Sequence, residues 1–543
     1  MLICSLGFHY QTFDYFWKIL KTYKRMKKLF LLVLGLAFAC NSSQQTVSEA
    51  SQPKPMASPV SYAESITQED LKEHLYTYAS DEFEGRETGT PGQKKAVEYI
   101  KAHYESLDVP PAQSNGDYFQ KVPLEVSKVP EGSFSINGTS FELGEDVLTF
   151  SEAQGTYNIV VYAGYGIEDG DYSDYSGIDV QGKLVLIKAG EPQNSDGNYV
   201  ISESSEKSVW SNASEAIGKK RDIAYSKGAI GVLYYDMMSF PRFQGYFQFM
   251  KNNNSGRMRL ASDEGDEVLV YLNDDAVNKL KSDIEADNVP KTISTDITID
   301  ITSGNDEINS ENVVAFIKGS EKPDEYVIIS SHLDHIGVTG DGQINNGADD
   351  DGSGTVALLE IAQAFKKAAD EGNGPKRSVV FLHVTGEEKG LLGSRYYTDV
   401  NPVFPLENTV VDLNIDMIGR IDPNYTGARN YLYLIGSDKL STELHNLSEE
   451  VNRKYTNIEF DYTYNDENDP NRFYYRSDHY NFAKNNIPII FYFNGTHADY
   501  HRPGDTPDKI NYDLLENRSR LIFYTAWEIA NRPNRLVVDK SAD

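Results

Sequence analysis

Much of the second half of the chain is built from apolar runs that do not alternate with polar residues: "NVVAFIKG" (312–319), "YVIISSHL" (326–333), "SVVFLHVTG" (378–386), "VVDLNIDMIG" (410–419) and "IPIIFYF" (487–493). A strand that is apolar on both faces is buried on both, so these runs predict a sheet covered by helices on each side. The covering helices come from segments such as "GTVALLEIAQAFKKA" (354–368), whose apolar residues recur at helical spacing. Two further helices are predicted upstream. "SITQEDLKEHLYTYAS" (65–80) places Leu71, Leu75 and Tyr78 along one face, with Ser65 as its cap, and "TPGQKKAVEYIKAHYESL" (90–107) starts near Pro91 and repeats Ala96, Tyr99, Ile100 and Tyr104.

Between them the texture differs. "YNIVVYAG" (157–164), "GKLVLIKAG" (182–190), "AIGVLYY" (229–235) and "EVLVYL" (267–272) are short β-rich runs divided by Gly, Asp and Ser turns, with one helix at "KKRDIAYSKGA" (219–229). The expected architecture is α/β, a mixed central sheet flanked by helices, carrying an inserted β-rich domain. Its parts are a signal segment over 1–39, a flexible tether over 40–63, the first part of the main domain over 64–129, the insert over 130–304 and the main part over 305–535. The tether is rich in Ser, Gln and Pro.

Composition sharpens the start of the chain most. Hydrophobic residues make up 39% and aromatics 12%, enough for packed cores, and the net charge of −31 argues against a nucleic-acid partner. Both cysteines, Cys4 and Cys40, sit in the first 40 residues, so a disulfide framework and a Cys-ligated zinc are excluded from the body of the protein. "MKKLFLLVLGLAFACNSS" (26–43) has two lysines, an apolar run too short to span a bilayer, and Ala39 before Cys40. It reads as a signal segment whose true start is Met26, and the Ala39-Cys40 junction resembles that of a bacterial lipoprotein. The protein is therefore expected to be exported to the periplasmic side of a bacterial membrane, anchored by lipid at Cys40 or else secreted, with no other membrane contact.

The charged residues fall where chemistry is expected. His332 and Asp334 end one buried run, Glu387 and Glu388 follow another, Asp416 ends a third, and His497 and His501 follow a fourth. In open α/β sheets ligands bind at the carboxyl ends of strands. Three consecutive aspartates, Asp349, Asp350 and Asp351, stand between glycines just before the 354–368 helix. Crowded carboxylates are tolerated when a cation lies between them, and a His/Asp/Glu set without thiols suits Zn²⁺ or a similar divalent ion. A pair of metals with one bridging carboxylate needs five ligands, and His332, Asp350, Glu388, Asp416 and His501 supply two His, two Asp and one Glu. A calcium loop would alternate acids with spacers, and these acids are consecutive.

His-Leu-Asp (332–334), "GADDDGSG" (347–354), "TGEEKGLLGS" (385–394), "NIDMIG" (414–419) and "YHRPGDT" (500–506), in this order, resemble the co-catalytic zinc aminopeptidase family. Its superfamily includes secreted bacterial leucyl-type aminopeptidases, glutamate carboxypeptidase and the transferrin receptor. The resemblance covers about 65–125 and 305–530. It implies two zinc ions per chain sharing Asp350, one also held by His332 and Asp416, the other by Glu388 and His501. It further implies Glu387 as general base, Asp334 as the acid orienting His332, and Tyr500 as a residue that helps stabilise the oxyanion; a packed tyrosine is the structural alternative. His497 is a candidate for substrate binding, His335 lines the pocket or sits solvated in its loop, and His383 reads as a core residue. Ser477, Asp478 and His479 would support the site structurally. "DEFEGRETGTPG" (81–92) matches the family's N-terminal region, and Gly85-Arg86 would shape a loop there. The insert resembles a protease-associated domain.

The expected activity is removal of N-terminal residues from peptides. Carboxypeptidase or glutaminyl cyclase chemistry on the same fold, and a non-catalytic binding ectodomain, are the alternatives. A carboxypeptidase would need a basic residue gripping a C-terminal carboxylate, and Arg395, Arg420, Arg472, Arg476 and Arg502 all lie near the motifs. Substrate preference, oligomeric state and the metal loaded are not legible at this level.

Overall fold

In the computed structural model, residues 58–541 are described apart from 254–255 and 264–266. The signal segment, Cys40 and most of the expected tether lie outside the described residues. Among the described residues no helix is long and apolar enough to cross a membrane.

Two large sheets organise the chain. The first has nine strands, and its centre is a parallel block of four: Arg377–Val384, Lys322–His332, Thr409–Ile415 and Ile489–Phe493, in that spatial order. Antiparallel strands flank the block, Asn305–Ile317 and then Phe119–Ser127 on one side and Tyr431–Ile435 on the other. The sheet is mixed, as the apolar runs predict. Its parallel strands are buried on both faces because successive side chains enter different layers. Val327, Ile329, Val379 and Phe381 join the core under the helices Gly354–Asp370 and Tyr512–Asn531. Ile328, Val380 and Leu382 pack the opposite way against Tyr397 and Phe482.

Register then fixes where the chemistry emerges. His332 pairs with Val384, and Ile415 pairs with Tyr492, so the strands end at one level. The residues that follow them leave from a single edge of the sheet.

The second sheet has eight strands, all drawn from residues 131–302, with cores on both faces. The four runs expected there form the strands Ala153–Tyr162, Leu184–Lys188, Gly231–Tyr235 and Leu269–Leu272. One strand from this region leaves it. Arg257–Leu260 pairs antiparallel with Phe119–Ser127 and extends the first sheet, with Leu260 packing near Leu392. Asp263, just beyond it, pairs with Arg395 in the segment after Glu388.

Two local expectations are corrected. The upstream helix is capped by Thr67, not Ser65: the Thr67 hydroxyl accepts the Asp70 N–H at 3.1 Å, and the Ser65 hydroxyl instead donates to the Tyr62 carbonyl. The end of the expected tether is also ordered. Val60–Ala63 is a short helix, because Tyr62 buries its ring against Trp527 and donates its hydroxyl to Glu371 at 3.0 Å.

Candidate metal centre

The three consecutive aspartates turn to three different tasks. Asp349 accepts the Gly419 N–H at 2.7 Å and the Asn494 side-chain amide at 3.1 Å. Asp351 accepts the N–H groups of Gly354 at 2.9 Å and Met417 at 3.1 Å. These two carboxylates pin neighbouring loops through backbone donors. Asp350, between them, faces imidazoles. The turn needs Gly347, whose φ of +56° is left-handed and whose Cβ would stand 2.3 Å from the Asp350 carbonyl.

The two oxygens of Asp350 look in different directions. Oδ1 lies 3.2 Å from His332 Nε2, which is also 3.6 Å from Asp416. Oδ2 lies 3.1 Å from His501 Nε2 and 3.7 Å from His335 Nδ1. Glu388 completes the second group, 3.1 Å from His501 and 2.9 Å from His335. All five expected ligands therefore meet around one carboxylate. Asp351 also lies within reach of His332 and Asp416. Its oxygens are held by backbone amides, so Asp350 is the better partner for that pair.

The field of this cluster calls for positive charge. Burial alone would strip protons from His332 and His501, yet the carboxylates outweigh it: His332 is pushed well above the usual imidazole range and His501 up to about 10. Burial likewise opposes ionisation of Asp350 and Glu388, but the facing imidazoles hold Asp350 well below the carboxylate range and Glu388 near about 2. A divalent cation supplies the same compensation.

Hydrogen bonding gives an independent test of whether a metal fits. His335 Nδ1, Asp350 Oδ2 and Glu388 Oε1 are buried and crowded, yet none has a hydrogen-bond partner. That suits ligands around a shared cation better than a hydrogen-bonded triad. His332 Nδ1 lies 3.0 Å from the Asp334 carbonyl, which can only accept. The proton is therefore on Nδ1, and in the neutral ring the Nε2 lone pair points at Asp350 and Asp416.

Around the ligands, the structure redistributes several expected roles. The Asp334 carboxylate stands 4.0 Å from His332 Nδ1; it accepts the Thr88 hydroxyl at 2.7 Å and the Glu387 N–H at 3.2 Å. It thus ties the His332 loop to the Glu387 loop, and its backbone, not its carboxylate, receives the imidazole proton. Glu387, Tyr500 and His501 line one cavity with Asp350 and Asp416. Burial first, then the neighbouring carboxylates, raises Glu387 well above the usual range. The Tyr500 ring stacks on His501 at 3.9 Å, and burial raises its hydroxyl. His497 does not line the cavity: its Nε2 lies 3.2 Å from Asp349, in the supporting layer. His383 is a core residue, bonded to the Tyr104 hydroxyl at 2.7 Å.

Other residues matter more than their sequence context suggests. His335 is fully buried against Glu388 rather than solvated in its loop, and its place three residues after His332 is the signal that could have found it. Ser477 donates to Asp416 at 2.7 Å and Asp478 accepts from Ser394 at 2.5 Å, so both brace the site. Arg86 is buried and donates to the carbonyls of Asn346 at 2.7 Å and Gly347 at 2.8 Å, holding the aspartate loop from behind.

Residues 312–526 match the profile of peptidase family M28. The chain is 26% identical over 514 residues to a probable leucine aminopeptidase 2 of Aspergillus oryzae, covering 89% of this chain and 88% of the relative. It is 37% identical over 106 residues to a probable glutamate carboxypeptidase of Arabidopsis thaliana, covering 20% of this chain and 14% of that one. Among solved structures, an aminopeptidase from an Aneurinibacillus strain aligns with 89% of this chain and 99% of its own at 20% identity, with a TM-score of 0.47.

Proposed function

We propose that this chain, which carries a peptidase family M28 domain over residues 312–526, is a zinc-dependent aminopeptidase. The observation that carries the reading is Asp350, whose two oxygens serve two ligand groups beside a cavity that Glu387 also lines. His332, Asp350 and Asp416 would hold one zinc ion, and Asp350, Glu388 and His501 a second, with His335 against the same Glu388. Zinc bound there would acidify water and polarise a peptide carbonyl.

The remaining work falls to this chain's own residues. Glu387 accepts the proton of the attacking water and returns it to the leaving amine, and its raised proton affinity suits both tasks. Asp334 holds the Glu387 backbone, so the base and the His332 loop keep one spacing. Tyr500 lines the same cavity, where its hydroxyl would donate to the developing oxyanion. The sheet of 131–302 is read as a protease-associated domain that flanks the site through Asp263 and Arg395. We read the protein as exported, with its lipid anchor at Cys40.

The test is hydrolysis of free and N-acetylated peptides by the purified protein, with zinc and after chelation. Cleavage that needs a free N-terminus and is lost on chelation supports the reading. Cleavage of the N-blocked peptides would move the activity to a carboxypeptidase.

A further inference from the structure

Five arginines lie near the site motifs, and the structure separates them. Arg395 pairs with Asp263. Arg420 lies 3.0 Å from Asp499 and 3.7 Å from Asp505. Arg472 stacks over the Tyr475 ring at 4.8 Å and lines a different cavity. Arg502 and Arg476 are both exposed, but Arg502 does not line the metal-site cavity. Only Arg476 among the five lines the cavity that contains Glu387, Asp416 and Tyr500.

Like Arg472 and Arg502, Arg476 makes no ion pair among the described residues, and of those three it alone lines this cavity. Its guanidinium carbon lies over the Phe473 ring, 4.9 Å from its centre. No carboxylate or carbonyl of the described residues accepts from its side chain. Its N–H donors therefore have no partner among the described residues. In a chain of net charge −31 an arginine has many acids to pair with, and the cavity itself holds three. An arginine held on an aromatic ring and left unpaired beside a reaction centre is preorganised for a planar anion from outside. Phe473, Phe491, Phe493 and Met417 line the same cavity, so the group it meets follows an apolar stem.

We propose that Arg476 is a specificity-determining residue that binds a carboxylate of the substrate. This rests on the peptidase reading and narrows it to peptides carrying a carboxylate near the scissile bond. Two sources share that chemistry: an acidic side chain on the N-terminal residue, and the free C-terminus of a dipeptide.

Two substrate pairs distinguish them. Glu-Ala-Ala-amide against Gln-Ala-Ala-amide isolates the side chain, and Gln-Ala against Gln-Ala-amide isolates the C-terminus. In one pair the charged member is favoured by about 10- to 100-fold in kcat/KM, chiefly through KM, as a charge-assisted hydrogen bond allows. Arg476→Gln collapses that ratio towards one, and Arg476→Lys recovers part of it. A ratio unaltered by Arg476→Gln, or no preference in either pair, overturns the proposal. Failure of the peptidase reading is separable. The same pairs titrated calorimetrically into the Glu387→Gln protein report binding without turnover. A charge preference there that Arg476→Gln removes upholds the assignment even if nothing is cleaved, and equal affinities refute it.

Discussion

Lys188, at the end of a strand in the second sheet, Lys220, in a helix beside it, and Lys281, at the end of another helix, are buried, and each ammonium has acceptors. Lys188 donates to the Ile284 carbonyl at 2.6 Å, Lys220 to the Gly190 carbonyl at 2.7 Å, and Lys281 to Asp283 at 2.8 Å. At the parallel edge of the other sheet, His335, Asp350 and Glu388 are as deeply placed and leave polar atoms unpartnered. Both regions use similar buried strands. The difference teaches which charges belong to the architecture: these three lysines are satisfied within the chain, whereas the strand-end set leaves polar atoms open to a cation.

The sharpest way to break that contrast is at Glu387. Glu387→Gln should lower kcat by about 10²- to 10⁴-fold, the usual worth of a general base, while bound zinc is unchanged. Activity near wild type would remove Glu387 from the reaction. A smaller effect is expected one layer out. Ser477→Ala deletes the donor to Asp416 and should weaken zinc affinity by about 10- to 100-fold, read by competition with a chelator.

In the insert the same logic predicts a cost in stability alone. Lys220→Met strips the donors from the Lys188 and Gly190 carbonyls and should cost about 1–3 kcal/mol in urea unfolding. Activity per folded molecule should not change; a loss of kcat/KM there would show that the insert takes part in the chemistry.

A further effect is in the pH dependence of stability. Burial holds His383 down near about 3, so below the ordinary imidazole value the unfolded chain binds a proton that the folded chain refuses. Stability therefore falls as pH drops from about 6.5 towards 3, by about 1.4 kcal/mol per pH unit for one such group. His383→Gln should reduce that slope by one proton, and an unaltered slope would mean that the ring is already charged in the fold.

The sheet and the cluster of His and acidic side chains at its edge were legible because both follow from pattern. Unbroken apolar runs mark doubly buried strands, and His332, Glu388, Asp416 and His501 stand at or just beyond their ends, where the parallel register brings them together. What stayed hidden depends on direction, which residue type does not encode. Nothing in "DDD" says that Asp349 and Asp351 turn to backbone amides and that Asp350 alone faces His332, His335 and His501. Arg86 and Thr88 reach the site across more than 240 residues of chain, so no local pattern announces them. His497 was misplaced for the same reason, since one turn of loop separates the cavity from the layer behind it. The strand Arg257–Leu260 crosses to the first sheet because an open edge was available there, a tertiary choice its four residues do not reveal.

The central claim is that Asp350 joins two metal sites, and zinc stoichiometry tests it most directly. Wild-type protein and Asp350→Asn would be dialysed to equilibrium against dilute zinc and their metal content measured per folded chain. Two ions in the wild type, with affinity lost at both positions in the variant, is the predicted result. Two ions retained with unchanged affinity in Asp350→Asn would contradict it.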